Sequence, residues 1–471
     1  MNYIIIDQGT SSTKGFLFNE NGEIVYSNKI KYVLSRPKPF YVECNPIKIL
    51  EDIIAIFKEM SSFSGSEKVI SAGIAFQRST FLFWDKLTCT PATPAISWQD
   101  SRAHSIVNRF KESENDLWEI TGTPLSAHFG GPKFIHMIEN NKSLLNGIKN
   151  NTLFFGPLSA FITHSITGKP AVDESIACRT LMYNLEKGIW SKFATNLFNI
   201  PLTCLPPIKP TNFNYGKILN SNIELQAIIG DQQAALIGQN GLKRNTVGSN
   251  FGTSASIQYN TGKNEVKIHG LISSILYSEK NERIFMVEGT INACNALFKH
   301  LENELGISHE DMLWEKRVQH TTTNGIFIPG FNGISSPYWK TGLENIYVNL
   351  DSNPNQIIRA GMESIGFLFN DIVECFKDVG LIIPSLLTAS GGVARPVLLQ
   401  FISDLTNLSI GFSAIKDRTA IGVYKILSKK HSNQNDLHFS EIFNPQKIHN
   451  IQDKKTQWGK TLSDNKIKKR L

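Results

Sequence analysis

The chain has 471 residues, of which 41% are hydrophobic and 19% charged, and a net charge of +7. The length exceeds what one hydrophobic core ordinarily supports, so two large domains are expected. The composition is that of a soluble globular protein. The charge is too mild and scattered to favour a nucleic-acid partner, and no window approaches the ~20 apolar residues of a membrane span.

In chain order, "NYIII" reads as a buried strand, "DQGTSST" as a polar turn, "KGFLF" as a second strand, "NENGE" as a hairpin turn and "IVYSNKIKY" as a third strand. The start has no basic region and too short an apolar run for a signal peptide. "PIKILEDIIAIFKEM" has helical spacing and "KVISAGIAF" is a strand. "GPKFIHMIENN" starts a helix. "NTVGSNFGTSASIQYNTGKN" repeats the opening design, with Gly252-Thr253-Ser254 matching Gly9-Thr10-Ser11 and Asn250 matching Asp7. "EGTINACNALFKHLENELG", "PNQIIRAGMESIGFLFNDIVECFKDVG" and "ARPVLLQFISDLTN" carry helical patterns. The basic "NKIKKRL" at the end reads as a solvated tail. The expected fold is α/β with two domains, 1–238 and 239–471, and a cleft between their facing turns. The six cysteines form no C-x-x-C pair and read as reduced, mostly buried thiols of a cytoplasmic protein.

Four stretches carry chemistry. The first turn can line an anion-binding concavity, with Gly9 for close approach, hydroxyls from Thr10, Ser11, Ser12 and Thr13, and charge from Lys14. It does not match the P-loop. Asp7 would repel a bare phosphate, but suits a Mg²⁺ held through water and phosphate oxygens. In "IIGDQQAALIGQ", Asp231 stands at a strand end, placed to accept a proton or to cap the following helix. In "TASGGVARPVLLQ", Gly391 and Gly392 would let a flat nucleotide base lie on the backbone; a tight strand-to-helix turn is the plainer reading. "AFQRST" and "AISWQDSRA" deliver Gln77, Arg78, Ser79, Trp98, Gln99, Asp100 and Arg102 at strand ends, suited to a polyhydroxy ligand. Surface salt bridges are the alternative for Asp100 and Arg102. No H-E-x-x-H, G-x-S-x-G or G-x-G-x-x-G occurs.

Together, in this order, these pieces resemble the FGGY family of carbohydrate kinases, across essentially the whole chain. "DQGTSSTKG" and "FGTSASIQYNTG" look like its two phosphate loops, "QRST" its substrate Arg motif, "GDQQAALIGQ" its catalytic-Asp motif and "SGGVARPVLLQFISD" its adenosine segment. The resemblance implies two ribonuclease-H-like domains of the actin, Hsp70 and sugar-kinase superfamily, closing on ATP, Mg²⁺ and a small polyol or ketose. It implies Asp231 as general base, and Arg78, Ser79, Trp98, His128 and Gln232 around the substrate. Thr10, Ser11, Ser12, Lys14, Gly252, Thr253, Asn295, Gly391 and Gly392 would contact nucleotide, and Asp7 the metal through water. The chain departs from the family's glycerol-specific pattern, which has Glu where Ser79 stands and Tyr where His128 stands. Asn295 occupies a usual nucleotide-contact Gly. A substrate other than glycerol, glycerol itself, an inactive ligand-binding homologue and a nucleotide switch of the same superfamily all stay open. The expected partner is a small polyhydroxy molecule, with no nucleic acid and no membrane; a homodimer stays open.

Overall fold

The computed structural model describes residues 1–63, 68–219, 221–430, 439–446 and 450–470. The opening meander forms as read: β1 (Asn2–Gln8), β2 (Ser12–Asn19) and β3 (Ile24–Lys31) pair antiparallel in sequence. α1 (Pro46–Phe63) crosses over to β4 (Val69–Phe76), which lies parallel to β1. Ile4, Ile5 and Ile6 are all buried, as a strand covered on both faces requires. α2 (Gly130–Glu139) belongs to an insertion built around a four-stranded sheet containing Phe81–Asp85 and Leu153–Pro157. The chain returns through β5 (Asn212–Lys217) and β6 (Glu224–Gly230), and β6 adds parallel to β4.

α3 (Asp231–Asn240) then leads into the second half. Here β7 (Val247–Phe251), β8 (Ala255–Gly262), β9 (Ile272–Glu279) and β10 (Glu282–Ile291) are followed by α4 (Asn295–Leu305) and the long α5 (Pro354–Asp378). β11 (Leu386–Ala389), α6 (Pro396–Thr406), β12 (Ser409–Phe412), α7 (Arg418–Ser428) and β13 (Glu441–Phe443) complete it. Boundaries differ from expectation in two places. Asp7, Gln8, Ser12 and Thr13, read as part of the first turn, belong to β1 and β2. Glu288–Ile291, read as the start of a helix, ends β10, and α4 begins only at Asn295.

One thirteen-stranded sheet runs through both halves, in the order β13-β12-β11-β7-β8-β10-β9-β5-β6-β4-β1-β2-β3. Apart from β5 and β9 at the junction and β13 at the edge, the first half contributes β6-β4-β1-β2-β3 and the second β12-β11-β7-β8-β10. Numbered within each half, both read 3-2-1-4-5, with the first three strands antiparallel and the next two parallel. The repeated Gly-Thr-Ser turns are therefore equivalent positions in two like units. The units meet in the sheet where Asn212 of β5 pairs with Glu279 of β9.

The halves are also pinned by α3 and α7, which cross at Gly238 and Gly422. A Cβ on Gly422 would lie 1.9 Å from the Ala234 carbonyl oxygen, and one on Gly238 2.0 Å from that of Arg418. α7 lies far along the chain, yet it covers the first half's sheet. Val423 sits against Gly73 of β4, and Tyr424 stacks on Phe18 at 5.0 Å. The shared core beneath the two helices joins Ile5, Phe16, Phe18, Ala75, Ala227 and Ile229 to Ala420, Val423 and Ile426. Residue 238 thus lies inside a helix at the joint.

Five cysteines are buried, Cys89 is half-buried, and all six are free. Lys466, Lys468 and Lys469 of the basic end are exposed as expected, but the segment is anchored and not a free tail. Ile467 is buried in the second half's core, Lys469 reaches Asp378 at 3.4 Å, and Arg470 pairs with Glu114 and donates its backbone N–H to Pro337. Leu471 lies outside the described residues. Among the described residues no helix is long and apolar enough to cross a membrane.

Candidate active site

The first turn follows β1. Gly9 donates its N–H to the Ser12 carbonyl at 3.0 Å, and the turn is fixed from below. Gln8 Nε2 and the Tyr32 hydroxyl both donate to the Gly9 carbonyl, and Gln77 Nε2 bonds to Gln8 Oε1 and Tyr32. This leaves Thr10 and Lys14 half-buried and Ser11 exposed, while Ser12 and Thr13 are buried. The second turn repeats the closure, with Gly252 N–H donating to Ser254 at 3.0 Å. Asn295 and Ala296 at the start of α4 donate backbone N–H groups to the carbonyls of Gly252 and Thr253, so Asn295 fixes this turn through its backbone. Gly391 packs under Phe251 and Asn250 at φ 102, where a Cβ would meet the Phe251 carbonyl at 2.3 Å. Nothing lies within 4 Å of a Cβ on Gly392, which is exposed. That leaves a bare backbone step beside the second turn.

Asp231 is the first residue of α3. Gly230, not Asp231, holds the N-cap position, and Asp231 Oδ1 accepts the Gln232 N–H at 2.8 Å. Burial raises the Asp231 pKa and the nearby Arg78 opposes the shift. Arg78 Nε stands 3.8 Å from Asp231 Oδ1. Both Nη atoms of Arg78 are committed, forming a fork onto Glu288 of β10 at 2.8 and 3.0 Å, with Gln233 Oε1 accepting at 3.2 Å. Glu288 also pairs with Arg179 at 3.5 Å. Burial works against the Glu288 carboxylate, but the two guanidiniums outweigh it and hold its pKa low. A Cβ on Gly230 would lie 2.5 Å from Gln233 Oε1 and 3.0 Å from Arg78 Cδ, so a side chain there would displace Gln233 from Arg78. Asp7 is near enough to feel Asp231. Burial pushes its pKa up to about 7, with Lys14 opposing and Asp231 and Asp417 adding to the rise.

The remaining expected residues distribute unevenly. Trp98 Nε1 donates to Thr10 Oγ1 at 2.9 Å, which ties the Trp98 segment to the first turn. His128 Nδ1 sits 3.0 Å from the Trp98 carbonyl. Gln232 Oε1 accepts from Ser256 Oγ of β8 at 3.4 Å, across the two halves. Ser79 is buried at φ 60, its hydroxyl donating to the Arg179 carbonyl at 3.0 Å. Asp100 and Arg102 form neither a ligand site nor a surface bridge. Arg102 is buried, forks onto Asp100 and Glu43 at 2.7 Å each, and covers the Tyr41 ring. Sequence reasoning missed Gln233, Arg179 and Glu288. The signal was present for Glu288, an acid inside the apolar run "IFMVEGTI", which demands a buried cation.

Two like units with equivalent turns, and an acid at the start of the helix that joins them in sequence, define the two-domain architecture of the actin, Hsp70 and sugar-kinase superfamily. Residues 2–238 match the N-terminal domain of the FGGY family of carbohydrate kinases, and residues 248–427 match its C-terminal domain. A glycerol kinase of Shewanella sediminis is 31% identical over 437 residues, covering 89% of this chain and 88% of that one. The crystal structure of Plasmodium falciparum glycerol kinase with ADP superposes with a TM-score of 0.89 at 27% identity, covering 99% of both chains. A xylulose kinase of Lactobacillus acidophilus shares the fold, with a TM-score of 0.83 at 20% identity over 98% of this chain and 96% of that one. The chain belongs to the FGGY family of carbohydrate kinases. It is a kinase of glycerol-kinase-like type.

Proposed function

We propose that the protein transfers the γ-phosphoryl group of ATP to a hydroxyl of a small polyol or ketose, with Asp231 as the base. The carrying observation is the Asp231 carboxylate itself, raised in pKa by burial and 3.8 Å from Arg78 Nε. A carboxylate made more basic by its surroundings is suited to take a proton as the hydroxyl oxygen attacks phosphorus. Arg78 would orient a substrate hydroxyl through Nε, since its other nitrogens are held by Glu288 and Gln233. Trp98 and His128 supply the pocket wall and Gln232 a second polar contact. Transfer of this kind depends on positioning and charge neutralisation.

The nucleotide would lie between the two Gly-Thr-Ser turns, its phosphates near Thr10, Ser11 and Thr253 and its adenosine along Gly391 and Gly392. The residues present fit a Mg²⁺ ion. Burial and the neighbouring Asp231 raise the cost of ionising Asp7, and a cation would relieve that cost. Asp7 would hold the ion through water, and the ion would supply positive charge to the phosphates. The change to Ser79 and His128 favours a substrate other than glycerol, with glycerol as the alternative. A screen of polyols and ketoses with ATP, reading ADP release, identifies the substrate. Asp231→Asn should then lower turnover ~10²–10⁴-fold while ADP binding persists; near-normal turnover would sink the assignment.

A further inference from the structure

Lys14, the cation of the first turn, is already paired. Its Nζ lies 2.8 Å from Asp417, at the step between β12 and α7. The adjacent residue, Arg418, behaves differently. Its Nη2 reaches Asn250 Oδ1 at 3.4 Å, a long contact, and its Nη1 is enclosed with no hydrogen-bond partner. No carboxylate among the described residues forms an ion pair with it. Burial pushes its pKa down only to about 10, so it is charged near neutral pH. Asp417 sits at φ 55, in the left-handed region that Asp tolerates. Consecutive side chains there reach opposite turns: Asp417 the first, Arg418 the second.

A half-buried guanidinium with one weak acceptor is poorly compensated. Asn250 explains why it stays so. It is the counterpart of Asp7, and a carboxylate at that position would neutralise Arg418. The chain has an acid beside the paired lysine and a neutral amide beside the unpaired arginine. We propose that Arg418 is a phosphate-binding residue, supplied by the first turn of α7 to the nucleotide's terminal phosphates between the two turns. This rests on the kinase reading. Charge-assisted contacts from Arg to phosphate are among the stronger hydrogen bonds, and the guanidinium would gain the anion it lacks.

Calorimetric titration of the full chain with Mg·ADP and with adenosine tests this. Arg418→Met should weaken Mg·ADP about 10–100-fold and leave adenosine within twofold. Arg418→Lys, which keeps the charge but loses the fork, should fall between. Thermal melting should show Arg418→Met at least as stable as the parent without nucleotide, because an uncompensated charge is removed. If Met does not fold, Lys carries the test, and an unchanged Mg·ADP affinity there overturns the proposal. Equal weakening of ADP and adenosine overturns it in favour of a structural role in seating α7. Unchanged Mg·ADP affinity in Arg418→Met overturns it alone; failure of the parent protein to bind Mg·ADP overturns the kinase reading as well.

Discussion

The crossing of α3 and α7 gives a sharp quantitative test. In Gly422→Ala the new methyl would stand 1.9 Å from the Ala234 carbonyl oxygen and 2.7 Å from its carbon, both backbone atoms. Ordinary contact needs about 3.4 Å, so the helices must part by about 1.5 Å, since no rotamer can yield. Overpacking of this kind costs ~1–3 kcal/mol, and occasionally more. The better helix propensity of Ala returns up to ~1 kcal/mol. Gly459→Ala supplies the control: it lies in the helix Ile451–Asp464 with nothing within 4 Å of its Cβ, so only the propensity gain applies there. Urea unfolding should place Gly422→Ala ~1–3 kcal/mol below Gly459→Ala, where the propensity gain cancels, and Gly459→Ala at or above the parent. Function should suffer more. Asp231 opens α3 and Arg418 opens α7, and a shift near 1 Å at reacting groups can cost ~10²-fold in rate. Equal unfolding midpoints for the two alanine variants would refute the close crossing and the reasoning built on it.

Glu288→Ala should destabilise the protein by ~3–5 kcal/mol in urea unfolding, because Arg179 would lose its paired carboxylate and Arg78 would keep only Asp231 at 3.8 Å. A loss under 1 kcal/mol would mean that water or another acid replaces it. Asp7 has a folded-state pKa near 7, above its ordinary 3.8, so the folded protein binds more protons than the unfolded chain between those values. Its contribution to the stability of the nucleotide-free protein is therefore present at low pH and falls as pH rises from about 4 to about 7. Comparing urea midpoints at pH 5 and pH 8, the parent should lose more stability than Asp7→Asn; parallel losses would remove Asp7 as the cause. Thr253→Ala should weaken ATP more than the phosphoryl acceptor in calorimetry, and an unchanged ATP affinity would count against the two-turn arrangement.

The local pattern of the chain was readable because its signals are local. β1 to β3 announce themselves by β-branched runs and Gly or Asn turns, and the twin Gly-Thr-Ser turns stand in plain view. The end of β10 was misread because "EGTINACNALF" has no break between an apolar strand and an apolar helix start. Pairings across long separations had no such signal. Nothing around Arg78 says that Glu288, 210 positions away, takes both its Nη atoms. The basic end looked solvated because lysines outnumber its apolar residues, yet one isoleucine, Ile467, anchors it. The two glutamines after Asp231 look alike in sequence. Only the helix geometry sends Gln233 inward to Arg78 and Gln232 toward Ser256.

The covering of the first sheet by α7 bears on how the protein is made. β1, β4 and β6 are complete in the first 230 residues, but Val423, Tyr424 and Ile426, which close one face of them, come about 190 residues later. At synthesis rates of about 5–20 residues per second, that face waits roughly 10–40 s for its cover. Ile5, Phe16, Ala75 and Ala227 lie open in the meantime. The N-terminal half therefore emerges from the ribosome as a sheet with one unfinished side, and chaperone capture of a nascent chain stalled before residue 418 should fall sharply once the chain is extended past α7.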